Sequence, residues 1–335
     1  PPPRSTLLDI RRQRQMCIRD RLYEVLEIAD RITVIRRGKV VGSRVPSETD
    51  EDDLAELMVG REVQLTVDRG ESHPTEPMLK LEGLHVQGSH GKKADDGVKF
   101  EVRAGEILGI AGVAGNGQDE LVEAITGLRQ PSSGTIILGG EDVTAASKRE
   151  LHGKQVAFVP ADRHRFGLVL SFPLTDNVVL TDYYMEPYSR GVVRDEAAIT
   201  QRASEAIELY DVRTPGATVT AGTLSGGNQQ KLIVAREFDR DLKLLVLDQP
   251  TRGLDVGSIE FIHKQMIKKR DAGTAVLLVS AELDEVLELS DRIAVMYRGR
   301  IVDIVDGRTA SKEAVGLLMA TGGKGEAASA SEAAS

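Results

Sequence analysis

Leu224-Ser225-Gly226-Gly227-Asn228-Gln229-Gln230-Lys231 is followed downstream by an apolar run that closes on an acid, Leu244-Leu245-Val246-Leu247-Asp248. These two stretches decide how the chain is read. Ser225 is a helix-starting residue, and the glycines after it leave backbone N–H groups without side-chain cover. Such groups point out of a helix N-terminus, where the macrodipole favours an anion such as phosphate. The plain alternative is a serine-capped helix after a glycine-rich turn.

At 335 residues the chain has room for two or three domains, and a hydrophobic fraction of 41% supports a large core. No apolar run reaches the ~18 residues a bilayer crossing needs, and no secretory signal is expected. A single cysteine, Cys17, rules out a disulfide framework and suits a reducing cytosol. Net charge of −9 argues against a broad nucleic-acid face, so nucleic acid is not an expected partner. His85, His90, His152, His164 and His263 show no metal-ligand spacing and are read as surface residues.

The chain repeats itself. The stretch from Leu22 through Ala29-Asp30-Arg31-Ile32 to Gly38-Lys39 recurs, without a gap, from Leu283 through Ser290-Asp291-Arg292-Ile293 to Gly299-Arg300. The same offset still aligns Leu57-Met58 with Leu318-Met319. Each copy reads as helix, short strand, glycine turn, second strand and closing helix. A period this long means tandem domains rather than a solenoid.

The match stops at Leu22. The offset sets the strand Thr274–Ser280 against Gln13–Arg19, which no buried strand would contain. Residues 1–21 therefore read as foreign to the fold, and Arg12–Arg21 resembles translated sequencing-adapter sequence; a natural basic N-terminal arm is the alternative. On this reading residues 22–67 are the last part of a first domain, and an acidic linker runs near Asp68–Pro77. Residues 78–322 form a second domain, and 323–335 are a disordered tail. In the second domain strands are expected at 78–86, 98–102, 107–111, 135–138, 156–159 and 244–248, with a mostly helical section up to Leu209. Alternating strands and helices give a largely parallel sheet with helices on its faces.

Gly112-Val113-Ala114-Gly115-Asn116-Gly117-Gln118-Asp119 lies between strand and helix, where a phosphate-binding loop belongs. A working loop reads GxxxxGK[ST], with the lysine on the β/γ-phosphates and the hydroxyl on Mg²⁺. Gly112 and Gly117 keep their places, but Gln118 stands at the lysine position and Asp119 at the hydroxyl position. Asp119 and Glu120 satisfy the positive helix end and repel phosphate. One lost lysine–phosphate contact costs roughly 1.5–3 kcal/mol. ATP binding here is expected to be weak or absent; the alternative is that Asp119 recruits Mg²⁺ and partly compensates.

The LSGGxQ run with its following apolar strand resembles the signature and Walker B motifs of ABC-type ATPases. Over nearly their whole length, residues 78–322 resemble the second cassette of tandem ATP-binding subunits in ribose/galactose/nucleoside-type ABC importers. Asp162-Arg163-His164-Arg165-Phe166-Gly167-Leu168-Val169-Leu170 is similar to their DRxxxGLVL segment, and Pro250–Gly257 to PTRGLDVG. Ser171–Leu174 and Glu260–His263 look most like the nucleoside branch. The resemblance implies an α/β fold: a P-loop NTPase-like cassette with a parallel sheet core, an antiparallel β subdomain and a helical subdomain.

It also implies roles. Ser225, Gly226, Gly227 and Gln229 would serve the nucleotide held by an opposite cassette, and Asp248 would hold Mg²⁺ or a water. Gln249 stands where a glutamate polarises the attacking water, and an amide cannot accept that proton. Ala281 stands at the switch-histidine position and Ala161 where a glutamine would sense the γ-phosphate. Asp255 would be the D-loop acid, or a plain N-cap; the two roles are compatible. Gly115 and Asn116 complete a degenerate loop with Gly112, Gly117, Gln118 and Asp119. No catalytic residue is intact, so this chain alone should hydrolyse little or no ATP.

The implied cofactors are ATP and Mg²⁺. The implied partners are the first cassette of the same full-length chain or a second copy, two transmembrane permease subunits and, indirectly, a substrate-binding lipoprotein. The implied location is the cytoplasmic face of the plasma membrane. Two other readings compete. A soluble ABC protein of translation or DNA repair would need basic arms or a long coiled coil, and a structural pseudo-cassette would bind no nucleotide anywhere.

Overall fold

A computed structural model describes residues 22–36, 38–60, 67–88 and 93–323. The readings placed on residues 1–21, Cys17, His90 and the tail beyond Gly323 lie outside the described residues. The described chain forms two compact units: residues up to 66 with Gly253–Phe261, and Val67–Arg252 with the chain from Ile262 onward.

The smaller unit runs α1 (Leu22–Ile28), β1 (Ile32–Arg36), β2 (Lys39–Arg44) and α2 (Glu51–Val59). The strands pair antiparallel, with a register shift between Val34 and Ile35. Asp50 caps α2 by accepting from the Asp53 N–H at 2.9 Å, and Gly60 ends it at φ +88°, a left-handed conformation glycine takes without strain. Arg44 Nε pairs with Asp53 Oδ2 at 2.6 Å. Leu22, Ile32, Val34, Leu54, Ala55 and Val256 make the core.

The larger unit begins with β3 (Pro77–Gln87), β4 (Lys93–Arg103) and β5 (Ile107–Gly112), followed by α3 (Gln118–Ile125), β6 (Ser133–Leu138) and β7 (Glu141–Asp142). Then come α4 (Lys148–Gly153), β8 (Val156–Val159), a π turn at Arg163–Gly167, α5 (Leu174–Val178), β9 (Ser189–Arg190), β10 (Val193–Arg194) and α6 (Glu196–Leu209). The remainder is α7 (Gly226–Phe238), β11 (Leu244–Asp248), α8 (Val256–Asp271), β12 (Ala275–Val279), α9 (Leu283–Leu289), β13 (Arg292–Tyr297), β14 (Arg300–Asp306) and α10 (Lys312–Thr321).

Six strands form one sheet in the order β14-β13-β5-β12-β11-β8, parallel except for the β13–β14 hairpin. Every residue of β5, β8, β11 and β12 is buried, as parallel strands covered on both faces require. An antiparallel sheet, β4-β3-β6-β7, packs onto it through Leu81, Val98, Phe100, Ile110, Leu121 and Leu277. The expected α/β architecture is therefore present. β4 starts at Lys93 rather than near residue 98, because its register against β3 shifts repeatedly and the alternation of side chains is broken. The β9–β10 hairpin interrupts the section expected to be helical; Gly191, at φ +66°, makes its turn.

Residues 67–76 lie along the larger unit. The Val67 N–H donates to Glu288 Oε1 at 2.7 Å, Arg69 Nη2 to the Gly307 carbonyl at 3.2 Å and the Thr75 N–H to the Ala104 carbonyl at 2.9 Å. The second copy of the repeat, α9–β13–β14–α10, carries its register shift between Val295 and Met296, the position matching Val34 and Ile35. Ser311 caps α10 and Gly322 ends it in the left-handed region. Among the described residues β1 has β2 as its only strand partner, whereas β13 also pairs with β5.

β12 lies between β5 and β11, with Val279 opposite both Ile110 and Asp248. The carboxyl ends of three parallel strands thus meet at one edge, where open α/β sheets take ligands.

Candidate functional site

The glycine loop leaves β5 at that edge. Gly115 and Gly117 sit at φ +86° and +110°, and a Cβ on Gly117 would lie 2.8 Å from the Ala94 carbonyl oxygen, so only glycine fits there. Gln118, 8% exposed, folds back into the loop. Its Nε2 donates to the Val113 carbonyl at 3.1 Å and its Oε1 accepts from the Asn116 N–H at 3.1 Å. Asn116 Oδ1 in turn accepts from the Arg298 N–H at 3.1 Å. The Gln118 side chain therefore points inward and occupies the Asn116 amide.

The first turn of α3 and the end of β11 carry carboxylates. Asp119 is exposed and Glu120 half-buried in the first turn of α3. Asp248 ends β11, 7% exposed, with Oδ1 lacking a hydrogen-bond partner. Burial, then Asp119, pushes its carboxyl up to about 7; Glu123 adds to this, while the Ala161 backbone and Arg252 oppose it. Asp248, with Asp119 beside it, has the chemistry to take a cation, since Mg²⁺ needs only one or two carboxylates. No cluster of three or more metal-ligating side chains forms among the described residues. The first turn of α3 itself, Gln118-Asp119-Glu120, supplies no cation for a phosphate.

A second buried acid lies under the loop. Asp95 on β4 is 0% exposed, and neither carboxyl oxygen has a partner. A Cβ on Gly117 would sit 2.5 Å from its Oδ1. Burial, then Glu120, pushes Asp95 up to about 8 against the pull of Arg129. Asp95 lies ahead of the strand expected from residue 98, so nothing there signalled a buried carboxyl.

The remaining departures converge between β11 and β12. Gln249 sits at φ +49°, its N–H donates to the Val279 carbonyl at 2.8 Å, and its Oε1 accepts from the Ala281 N–H at 3.0 Å. Gln249 thereby ties the end of β11 to β12 and to the loop after it. Below them lies His263, which is not a surface residue: it is 4% exposed and its Nε2 meets Glu285 Oε1 at 2.9 Å. Spacing placed it on a helix but could not say which face turned inward. Thr251 Oγ1 donates to the same carboxyl oxygen at 2.7 Å. Burial would raise Glu285, but His263, Ser280 and Thr251 together hold it below the usual carboxylate range.

The signature helix differs in character. Ser225 is the N-cap of α7, its Oγ accepting from the Asn228 side chain at 2.9 Å, and no acid lies in the first turn. Gln229 is 5% exposed; its Nε2 donates to the Ala221 carbonyl at 3.2 Å and its Oε1 lies 3.0 Å from His164 Nε2. Its side chain is thus engaged within its own chain, as is the Ser225 hydroxyl, and Ser225, Gly226 and Gly227 form the start of the helix, with Ser225 exposed and the glycines half-buried. Arg163 packs there: a Cβ on Gly226 would lie 2.8 Å from its Nη2.

In the smaller unit, Asp255 caps the start of α8, accepting from the Ser258 N–H and Oγ at 3.0 Å each. No helix among the described residues is long and apolar enough to cross a membrane.

The ABC transporter family matches residues 96–252. A guanosine import ATP-binding protein, NupO, of Bacillus subtilis is 47% identical, over 90% of this chain and 59% of its own length. A nucleoside import ATP-binding protein, NupA, of Lactococcus lactis is 47% identical over 91% of this chain and 60% of its own. A glucose import ATP-binding protein of Haloferax volcanii is 44% identical over 91% and 56%. The chain spans about three fifths of the length of these relatives. Among solved structures, a dimeric bacterial ABC transporter cassette superposes with a TM-score of 0.59 at 24% identity, over 70% of this chain and 100% of that one.

Proposed function

We infer, for a chain that belongs to the ABC transporter ATP-binding family, that it is part of the ATP-binding subunit of an importer for nucleosides or simple sugars. Residues 78–322 are its second, degenerate cassette and residues 22–67 the end of the first. The equivalence of β1 with β13 supports this, since β13 pairs with the loop-bearing β5 while β1 lacks the corresponding neighbour among the described residues. Residues 1–21 are a non-native segment.

One observation carries the reading: the contrast between two helix N-termini. α3 begins with Asp119 and Glu120 and no cation, while α7 begins with Ser225, Gly226 and Gly227 and no acid. The first repels a terminal phosphate; the second is built to accept one. Ser225, Gly226 and Gly227 therefore act on ATP held by the first cassette, or by a second copy. Bound there with Mg²⁺, ATP supplies the phosphoryl bond whose cleavage drives the transport cycle. Asp255 belongs to the D-loop that crosses to the neighbour while also capping α8. Two permease subunits in the membrane are the mechanical partners, with a binding lipoprotein delivering cargo to them, and the subunit sits on the cytoplasmic face.

The experiment is to join a complete first cassette ahead of Leu22 and measure phosphate release. The joined protein should turn over, and Ser225→Arg should reduce it by roughly 10²-fold or more, in the range of a lost donor in trans. Turnover indifferent to Ser225→Arg would remove the trans role. Failure to co-purify with a hydrophobic permease would remove the transport reading.

A further inference from the structure

The turn that follows β8 is fastened along the signature helix. Asp162 Oδ1 accepts from the N–H groups of His164 and Arg165 at 3.1 and 3.0 Å, which fixes the turn. His164 Nε2 meets Gln229 Oε1 at 3.0 Å, and Arg236 Nη1 donates to the Gly167 carbonyl at 2.8 Å. Gln229 and Arg236 lie two turns apart on one face of α7. At the open end of that face sits Arg163, whose Nη2, Cζ and Nε would lie 2.8, 3.3 and 3.8 Å from a Cβ on Gly226. The guanidinium occupies the space that glycine leaves.

Arg163 has no carboxylate partner among the described residues, and its Nε is buried without a hydrogen bond. A guanidinium is always charged, and it is normally found paired with an anion. Here the nearest structure is a helix N-terminus whose first turn holds no acid. A half-buried fork of N–H donors beside the half-buried amides of a helix N-terminus places two kinds of anion donor side by side.

We propose that Arg163 is a further catalytic residue of the trans site, donating to the terminal phosphate of ATP held by the opposite cassette alongside Ser225, Gly226 and Gly227. The proposal rests on the trans-acting reading of the signature. It assigns Gly226 two duties: leaving its own N–H open and admitting the guanidinium. It also makes the site selective for ATP over ADP, because the contact is with the phosphate that ADP lacks. The latch through His164 and Arg236 holds the guanidinium in register with α7.

The test uses this chain joined to a complete first cassette and assembled with its permeases. Arg163→Gln should lower ATP turnover by roughly 10- to 100-fold and abolish most of the preference for ATP over ADP, with ADP affinity and melting temperature unchanged. Arg163→Lys, which keeps the charge and loses the fork, should recover part of the rate. Ser225→Arg is the control. Loss of turnover in Ser225→Arg with full turnover in Arg163→Gln overturns the role of Arg163 and leaves the trans reading standing. Full turnover in both overturns the trans reading itself. A fall in melting temperature with equal loss of ATP and ADP binding assigns Arg163 to the latch alone, and the proposal fails.

Discussion

The side-chain oxygen of Gln249 accepts a 3.0 Å hydrogen bond from the backbone N–H of Ala281, joining the end of β11 to the loop after β12. On the proposed function these are the positions of the base and the switch histidine, and the hydrogen bond makes them a structural link. Gln249 holds it from φ +49°, a conformation that costs a non-glycine residue of order 1 kcal/mol. Glutamate at 249 would accept the same hydrogen bond, so Gln249→Glu should fold. It should not restore turnover, because Gln118 and Asp119 still leave the loop without a cation. Phosphate release from this chain carrying Gln249→Glu should stay within about twofold of background; sustained release would mean that the missing base alone silences the site.

Much of this was legible in the residues themselves. β8 and β11 begin and end where their apolar runs do, because a strand buried on both faces has no polar alternation to blur its limits. The identity of Gln118 showed that a lysine was missing. That its amide would turn inward and bond Val113 and Asn116 was not readable, since the loop's own path decides it. Arg163 and Gly226 are far apart in the chain, and their approach depends on how the turn after β8 packs on α7. His263 carried no signal for its inward face because α8 mixes polar and apolar residues around its circumference.

Asp95 should make stability pH-dependent. Burial raises its carboxyl to about 8, well above the ordinary aspartate range, so the fold binds a proton the unfolded chain releases. The stabilisation is fully present below about pH 4 and is lost as pH rises through about 8. Asp95→Asn removes the titration and should flatten the decline in melting temperature between pH 5 and 8.5. Asp248, raised in the same direction to about 7, and Glu288, raised by burial, contribute to the slope that remains. A variant whose melting curve tracks the parent at every pH would mean that Asp95 ionises freely in the fold.

Glu285 should behave in the opposite way to a surface acid when truncated. Glu285→Ala leaves His263 Nε2 and Thr251 Oγ1 without their shared acceptor in a buried site. Removing one partner of such a network costs about 3 kcal/mol or more, whereas Glu285→Gln keeps an acceptor oxygen and should cost less than about 1.5 kcal/mol. Urea denaturation of the two variants separates these values. Equal losses would show that the carboxyl contributes bulk and not hydrogen bonding.

Gln118→Lys tests whether the proposed weakness of the loop towards phosphate has one cause or two. A lysine restores a charge-assisted contact of roughly 1.5–3 kcal/mol, about 10- to 150-fold in affinity. Asp119 remains, however, at the positive end of α3 with its charge near Asp248, so part of that gain should be cancelled. The double variant Gln118→Lys/Asp119→Ser supplies both the cation and the hydroxyl. It should bind MgATP at least about tenfold more tightly than Gln118→Lys alone, measured by calorimetry on this chain. Binding as tight in the single variant as in the double would mean that Asp119 exerts no repulsion, or that it assists by holding Mg²⁺. In that case a further exchange, Asp119→Asn, should weaken binding and not strengthen it.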